Sequence, residues 1–269
     1  MKAKVLTLNM DLGIKVLQRD VHHPGFRLEF DCIIYRKQLI IPIKASTFKK
    51  CNRKEADFNK CLRNAVQDAL NQLNKAHPEV GLPSLDPFVY PVGLVRVGKG
   101  TSVVQFTHVF KHTSVKKFTE FSSLKASMDF DTNVLTLEIE YPTIIFNFDY
   151  EIDGKILTIP IKGQGPGQIH LKNFAIELTF TLKEENNYYK VANGNFAFKK
   201  MENVWFNFEN LFDGNKELGD KVNAAMNENW KGIFEEMQDK YEKINAKTFT
   251  GIFSKFLEKV PARELFGEP

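Results

Sequence analysis

Residues 134–152 read VLTLEIEYPTIIFNFDYEI. In the first half, Leu135, Leu137, Ile139 and Tyr141 alternate with Thr136, Glu138 and Glu140; in the second, Phe146, Phe148, Tyr150 and Ile152 alternate with Asn147, Asp149 and Glu151. Successive side chains of a strand point to opposite faces, so both halves read as strands with one apolar and one polar face. The same period of two holds across residues 88–208. Leu157, Ile159 and Ile161 follow it, as do Phe174, Ile176, Leu178, Phe180 and Leu182, and then Val204, Phe206 and Phe208. Short turns separate the runs, with Asp153-Gly154 and Asn193-Gly194 as hairpin signals. The sheet is therefore expected to be antiparallel, with one side facing water.

Helical periodicity flanks this region on both sides. From about Glu55 to Lys75, Cys61, Leu62, Val66, Ala69, Leu70 and Leu73 recur at spacings of three and four. Asp57 suits the N-cap, and His77-Pro78 ends the helix. From Lys216 to Val260 an apolar stripe includes Leu218, Val222, Met226, Trp230, Phe234, Phe249 and Phe256. Unbroken, about 45 positions would span roughly 65 Å, with Gly232 and Gly251 as candidate bend points. A one-sided sheet and a striped helix each need covering. The predicted fold class is α+β: a curved antiparallel β-sheet wrapped around a long C-terminal helix, with an internal hydrophobic tunnel between them.

The 269-residue chain carries 24 Phe against 2 Trp and 7 Tyr. Phe brings apolar area without a polar atom, which suits an oily cavity and a solid core equally. With 37 basic and 33 acidic residues the formal charge is +4, too balanced for a nucleic-acid surface. No run of about 18 apolar residues occurs, so no stable membrane insertion is expected. Asn9, Asp11 and Lys15 interrupt the first 20 residues, which do not read as a secretory signal. Residues 1–45 are expected to lie outside the domain, as an atypical segment or a gene-model artefact; the domain is expected over 46–266. Three cysteines, Cys32, Cys51 and Cys61, leave at least one without an intramolecular partner. A Cys51–Cys61 bridge would stabilise by roughly 2–3 kcal/mol in an oxidising compartment. A zinc site would need more Cys or His at short spacing.

Residues 163–167, GQGPG, raise the question of a phosphate cradle. That chemistry needs a helix directly after the glycines, whose N-terminus holds the phosphate. Here QIHLKNFAIELTFTL follows, which alternates as a strand, and no Gly-Lys-Ser/Thr is present. The glycines are read instead as a tight strand-to-strand bend, or a place where sheet and helix approach closely. No metal-binding spacing joins the six histidines, His22, His23, His77, His108, His112 and His170, which are expected to be exposed or hydrogen-bonded. No G-x-S-x-G elbow or catalytic cysteine motif occurs.

Four segments carry a family resemblance: CNRKEADFNKCLRNAVQDAL (51–70), GLPSLDPF (81–88), DGKILTIPIKGQGPGQI (153–169) and NLFDGNKELGDKVNAAMNENW (210–230). In order and spacing they resemble insect takeout proteins, relatives of the haemolymph juvenile hormone-binding proteins, from about Ile43 to Phe266. The resemblance implies a tubular lipid-binding fold, a secreted and non-enzymatic carrier, a Cys51–Cys61 disulfide, and links to circadian or feeding physiology. The chain has no cysteine after Cys61, so it lacks the second disulfide of the hormone carriers and looks like the takeout branch.

The expected ligand is a juvenile hormone-like terpenoid or a fatty lipid, with no cofactor and a monomeric protein. Candidate lining residues on the strands are Leu137, Ile139, Phe146, Phe148, Tyr150, Ile176, Leu178 and Phe180. Those on the helix stripe are Val222, Met226, Trp230 and Phe234. For each, solid core is the alternative to tunnel wall, because the period gives the face and not a void. A membrane-acting lipid-binding protein is the competing function, and a hormone-processing esterase a further one.

Overall fold

The stretch that sets the sheet forms one strand rather than two. The computed structural model describes residues 48–90, 93–97, 104–156 and 159–267. The expectations for residues 1–45, for Cys32 and for Leu157 lie outside the described residues. After α1 (Phe58–Gln72) come the strands β1 (Phe88–Val89), β2 (Gly93–Val97), β3 (Val104–Lys116), β4 (Ser123–Asp129), β5 (Val134–Ile156), β6 (Ile159–Glu185) and β7 (Tyr188–Phe208). The helices α2 (Lys216–Glu228), α3 (Trp230–Leu257) and α4 (Ala262–Phe266) follow. All strands are antiparallel in the order β1-β3-β5-β6-β7, with β2 on β3 and β4 on β5.

Strands β5, β6 and β7 run for 23, 27 and 21 residues. The inward phase slips in mid-strand: Tyr141 and Ile144 are both buried. The slip falls where β5 pairs β4 only up to Glu140 and β3 only from Ile145 onward. Pro142, which has no N–H to offer, occupies that gap. On β6 the register passes over Asn173, whose φ is 47°. A phase break that looks like a turn is therefore absorbed inside the strand.

Both predicted hairpin turns are corrected. Asp153-Gly154 pairs with Lys162 and Ile161 inside β5, and Asn193-Gly194 pairs with Thr181 and Phe180 inside β7. The β6–β7 turn is Asn186-Asn187, with φ of 54° and 65°. Two central residues at positive φ match the right-handed twist of the flanking strands.

The GQGPG stretch is neither bend nor helix contact. It lies within β6, and Gly163, Gly165 and Gly167 share the phase of the buried Ile161 and Leu171. A Cβ at Gly163 would stand 2.9 Å from the Leu211 Cα, one at Gly165 3.0 Å from the Glu209 oxygen, and one at Gly167 2.4 Å from the Phe148 ring. The glycines clear the inner face for the segment leading into α2 and for a cross-strand aromatic.

The first helix is capped as expected, Asp57 Oδ1 accepting from Lys60 N at 3.3 Å. The C-terminal stripe is not one helix. It breaks at Asn229, whose side chain donates to the Ala225 carbonyl at 2.8 Å and competes with the backbone ladder. Gly232 and Gly251 lie inside α3 without interrupting it. At 1.5 Å per residue, α3 is about 42 Å long.

Helix side chains occupy the free edge of β7. Asn223 Oδ1 accepts from Phe208 N at 2.9 Å while its Nδ2 donates to Phe208 O at 3.0 Å. Asn227 repeats this with Phe206, at 2.7 and 2.9 Å. Farther along, Glu242 Oε1 accepts from Phe198 N at 2.9 Å. Four helical residues advance about 6 Å and two strand residues about 6.6 Å, so an i, i+4 pair of amides matches alternate rungs. Phe249 of α3 stacks on Phe88 of β1 and on Phe196 of β7, at 6.3 and 6.0 Å. The strands at opposite ends of the order thus meet on one helix, and the sheet curls around it.

Candidate functional site

The inner face of the curled sheet and the facing sides of α2 and α3 form one continuous apolar cluster. All twelve sequence-selected residues fall in it. Ile139, Phe148, Tyr150, Ile176, Leu178, Phe180, Val222 and Met226 are buried; Leu137, Phe146, Trp230 and Phe234 are half-buried and packed against them. Rings make up much of this interior. Phe174 stacks on Tyr141 at 5.3 Å, Phe198 meets Phe234 at 5.2 Å, and Phe180 meets Phe253 at 4.7 Å.

An aromatic cluster gathers where α1, the β4–β5 turn, the start of β7 and α4 meet. Phe58 and Phe266 both pack on Phe130, at 5.1 and 5.6 Å, and Tyr189 packs on Phe266 at 5.5 Å. The Arg53 guanidinium lies 4.9 Å over the Phe130 ring and donates to Tyr189 Oη at 3.3 Å. Cys51 and Cys61 are joined in a disulfide, which ties the segment carrying Arg53 to α1. The odd-cysteine arithmetic allowed that pairing without requiring it.

Polar atoms inside are few. Among the described residues no Asp, Glu, Lys or Arg is buried; the buried polar side chains are His77, His108 and Thr113. His77 is satisfied, with Nδ1 3.0 Å from Glu79 and Nε2 3.3 Å from Gln72 O. His112 is exposed and meets Asp149 at 2.7 Å. The expectation of exposed or hydrogen-bonded histidines fails at half-buried His170, whose Nε2 is buried without a partner, and most completely at His108. It is 1% exposed, and its Nε2 has no hydrogen-bond partner. Burial pulls its pKa down to about 3, so the ring is neutral at physiological pH. An unpaired buried polar atom costs about 1–3 kcal/mol. The hydroxyls of Tyr141 and Tyr241 are also buried without partners, and burial pushes both well above the usual phenol range. The signal for His108 was present in FTHVF (106–110), where it shares the inward phase of Phe106 and Phe110.

Other chemistry is sparse. No group of three or more His, Cys, Asp or Glu able to hold a metal ion occurs among the described residues. No helix there is long and apolar enough to cross a membrane. Around Glu242, the edge of β7 and α3 flank a groove of about 570 Å³ between Ala192–Phe196 and Asp239–Thr250. Asp239, Lys243 and Lys247 on its wall set it apart from the uncharged interior.

Comparison with known proteins agrees with this architecture. The model of the family described as haemolymph juvenile hormone binding protein matches residues 30–267. The chain is 22% identical over 231 residues to the circadian clock-controlled protein daywake of Drosophila melanogaster, covering 82% of this chain and 87% of that one. Its counterpart in Drosophila yakuba is 23% identical over 232 residues, with the same coverage. The crystal structure of Takeout 1 from Epiphyas postvittana superposes with a TM-score of 0.70 at 24% identity, covering 82% of this chain and 100% of that one.

Proposed function

The chain belongs to the haemolymph juvenile hormone-binding protein family, and from that premise we propose that it is a non-catalytic carrier of one small hydrophobic ligand. The ligand lies between the inner face of the sheet and the α2–α3 pair, against the twelve residues named from the sequence. The observation that carries this reading is the interior itself: one continuous aromatic-rich cluster with no buried Asp, Glu, Lys or Arg among the described residues. Such an interior favours an apolar guest, because each Å² of apolar surface removed from water contributes about 25 cal/mol. About 300 Å² of ligand would give on the order of 7 kcal/mol before ordering costs.

Secretion is supported by the Cys51–Cys61 disulfide, a bond that persists in oxidising compartments. The likeness to the circadian clock-controlled protein daywake favours a clock-linked role. The test of the carrier reading is native mass spectrometry with lipid extraction, on protein purified from insect cells. One apolar ligand per chain is expected. Bare protein that takes up no long-chain terpenoid, ester or alcohol when offered them would overturn it.

A further inference from the structure

We propose that His108 is the hydrogen-bonding contact for the head of the carried ligand, and that this head is an uncharged oxygen group: an alcohol, ester or ketone. The inference rests on the carrier reading and deepens it.

His108 projects from β3 on the phase it shares with Phe106 and Phe110. Rings surround it: Phe110 at 3.6 Å, Phe208 at 5.6 Å, Phe148 at 5.8 Å, and Phe106 and Tyr150 at 6.1 Å between centroids. The cage has one hydroxyl of its own, and it is committed elsewhere, since Tyr150 Oη donates to the Glu209 carbonyl at 2.5 Å. Nothing in the cage needs an imidazole for packing. A Leu or Phe would fill the space and leave no polar atom without a partner. The stranded Nε2 is explained if a guest supplies the missing partner.

The chemistry of the cage then restricts the guest. Neutral imidazole presents either a donor or an acceptor at Nε2, according to tautomer. An ester or ketone oxygen takes the donor form, and an alcohol is served by either. A carboxylate is disfavoured, because among the described residues no buried cation stands ready and the aromatic walls do not solvate charge.

The experiment compares wild type with H108L and H108F, measuring displacement of the fluorescent probe N-phenyl-1-naphthylamine at pH 7. The competitors are methyl dodecanoate, dodecan-1-ol, dodecanoate and tridecane. Wild type is expected to prefer the ester and alcohol to dodecanoate. Both variants are expected to weaken ester and alcohol about tenfold, within the range of one lost hydrogen bond, and to leave tridecane within about twofold. Equal weakening of all four compounds would make His108 a packing residue, and unchanged ester and alcohol binding would remove it from the site; either result overturns the proposal. H108F keeps the cage filled, so the comparison stands if H108L folds poorly. A wild type from which no compound, tridecane included, displaces the probe would sink the carrier reading itself.

Discussion

Replacing Asn227 with Ala removes both hydrogen bonds that the α2 side chain makes to Phe206. Each contributes about 0.5–1.5 kcal/mol, and the freed N–H and C=O lie on a strand edge that the helix covers. Ala also favours the helix by roughly 0.5 kcal/mol over Asn. The net expected loss is about 2 kcal/mol. Asn227→Asp is the sharper variant. One carboxylate oxygen still accepts from Phe206 N, while the other takes the place of Nδ2, which stands 2.9 Å from the Phe206 carbonyl oxygen. Two acceptors then face each other, so N227D at pH 7 should lose at least as much as N227A. Protonation restores a donor. The folded-state pKa of that Asp should therefore lie above its unfolded value, and the folded chain binds the proton first. Stability relative to wild type then falls as pH rises through the folded pKa and recovers on acidification. Urea denaturation at pH 7 and pH 4.5 measures this, with amide exchange at Phe206 as the local readout. A loss under about 0.5 kcal/mol for N227A with Phe206 still protected, or an N227D deficit that does not shrink at low pH, would refute the edge-pairing argument.

Three further outcomes follow from the same structure. Replacing Cys51 and Cys61 with Ser opens a loop with a sequence separation of 10, and should cost about 2.8 kcal/mol in thermal or urea unfolding. Gly167→Ala drives a Cβ to 2.4 Å from the Phe148 ring and should cost about 1–3 kcal/mol; F148L in the same chain should recover part of it, and additive losses would contradict the contact. Because burial pulls His108 down to about 3 while the unfolded ring titrates near 6.5, the unfolded chain binds the extra proton between those values. Its contribution to stability is therefore lost as pH falls, by about 2–3 kcal/mol from pH 6.5 to 4.5. H108L should lack that component, and equal pH slopes for the two proteins would discount it.

The period of two in LTLEIEY and FNFDYEI was enough to orient the inner face of β5, and hence to name the strand residues of the candidate site. It was not enough to count strands. Tyr141 and Ile144 share the inner face, which a pattern reading takes as a break, whereas a local gap in pairing at Pro142 absorbs it. Asp153-Gly154 and Asn193-Gly194 have turn chemistry, yet register along β6 keeps both in strands, and Asn186-Asn187 turns instead. The apolar stripe put Val222, Met226, Trp230 and Phe234 on the side that joins the apolar cluster but ran on through Asn229, because periodicity does not register a side chain capping its own helix. Asn223 and Asn227 read as the polar side of α2. Their partners are backbone atoms of another element, which no side-chain pattern announces. His108 was visible as FTHVF, but its missing partner is a property of three-dimensional surroundings.

The covering of β7 by α2 and α3 bears on how the chain is made. Phe206 and Phe208 leave the ribosome before the amides that pair them, and Phe249, which joins the two ends of the sheet, follows about 40 residues after Phe208. At typical synthesis rates that interval lasts roughly 2–8 s. For that time the nascent protein displays a long unpaired strand border, open to other chains in the secretory lumen or the cytosol. A chain stopped after Phe208 is expected to self-associate through that border. Sedimentation finding it monomeric would show that something other than the C-terminal helices guards the growing sheet.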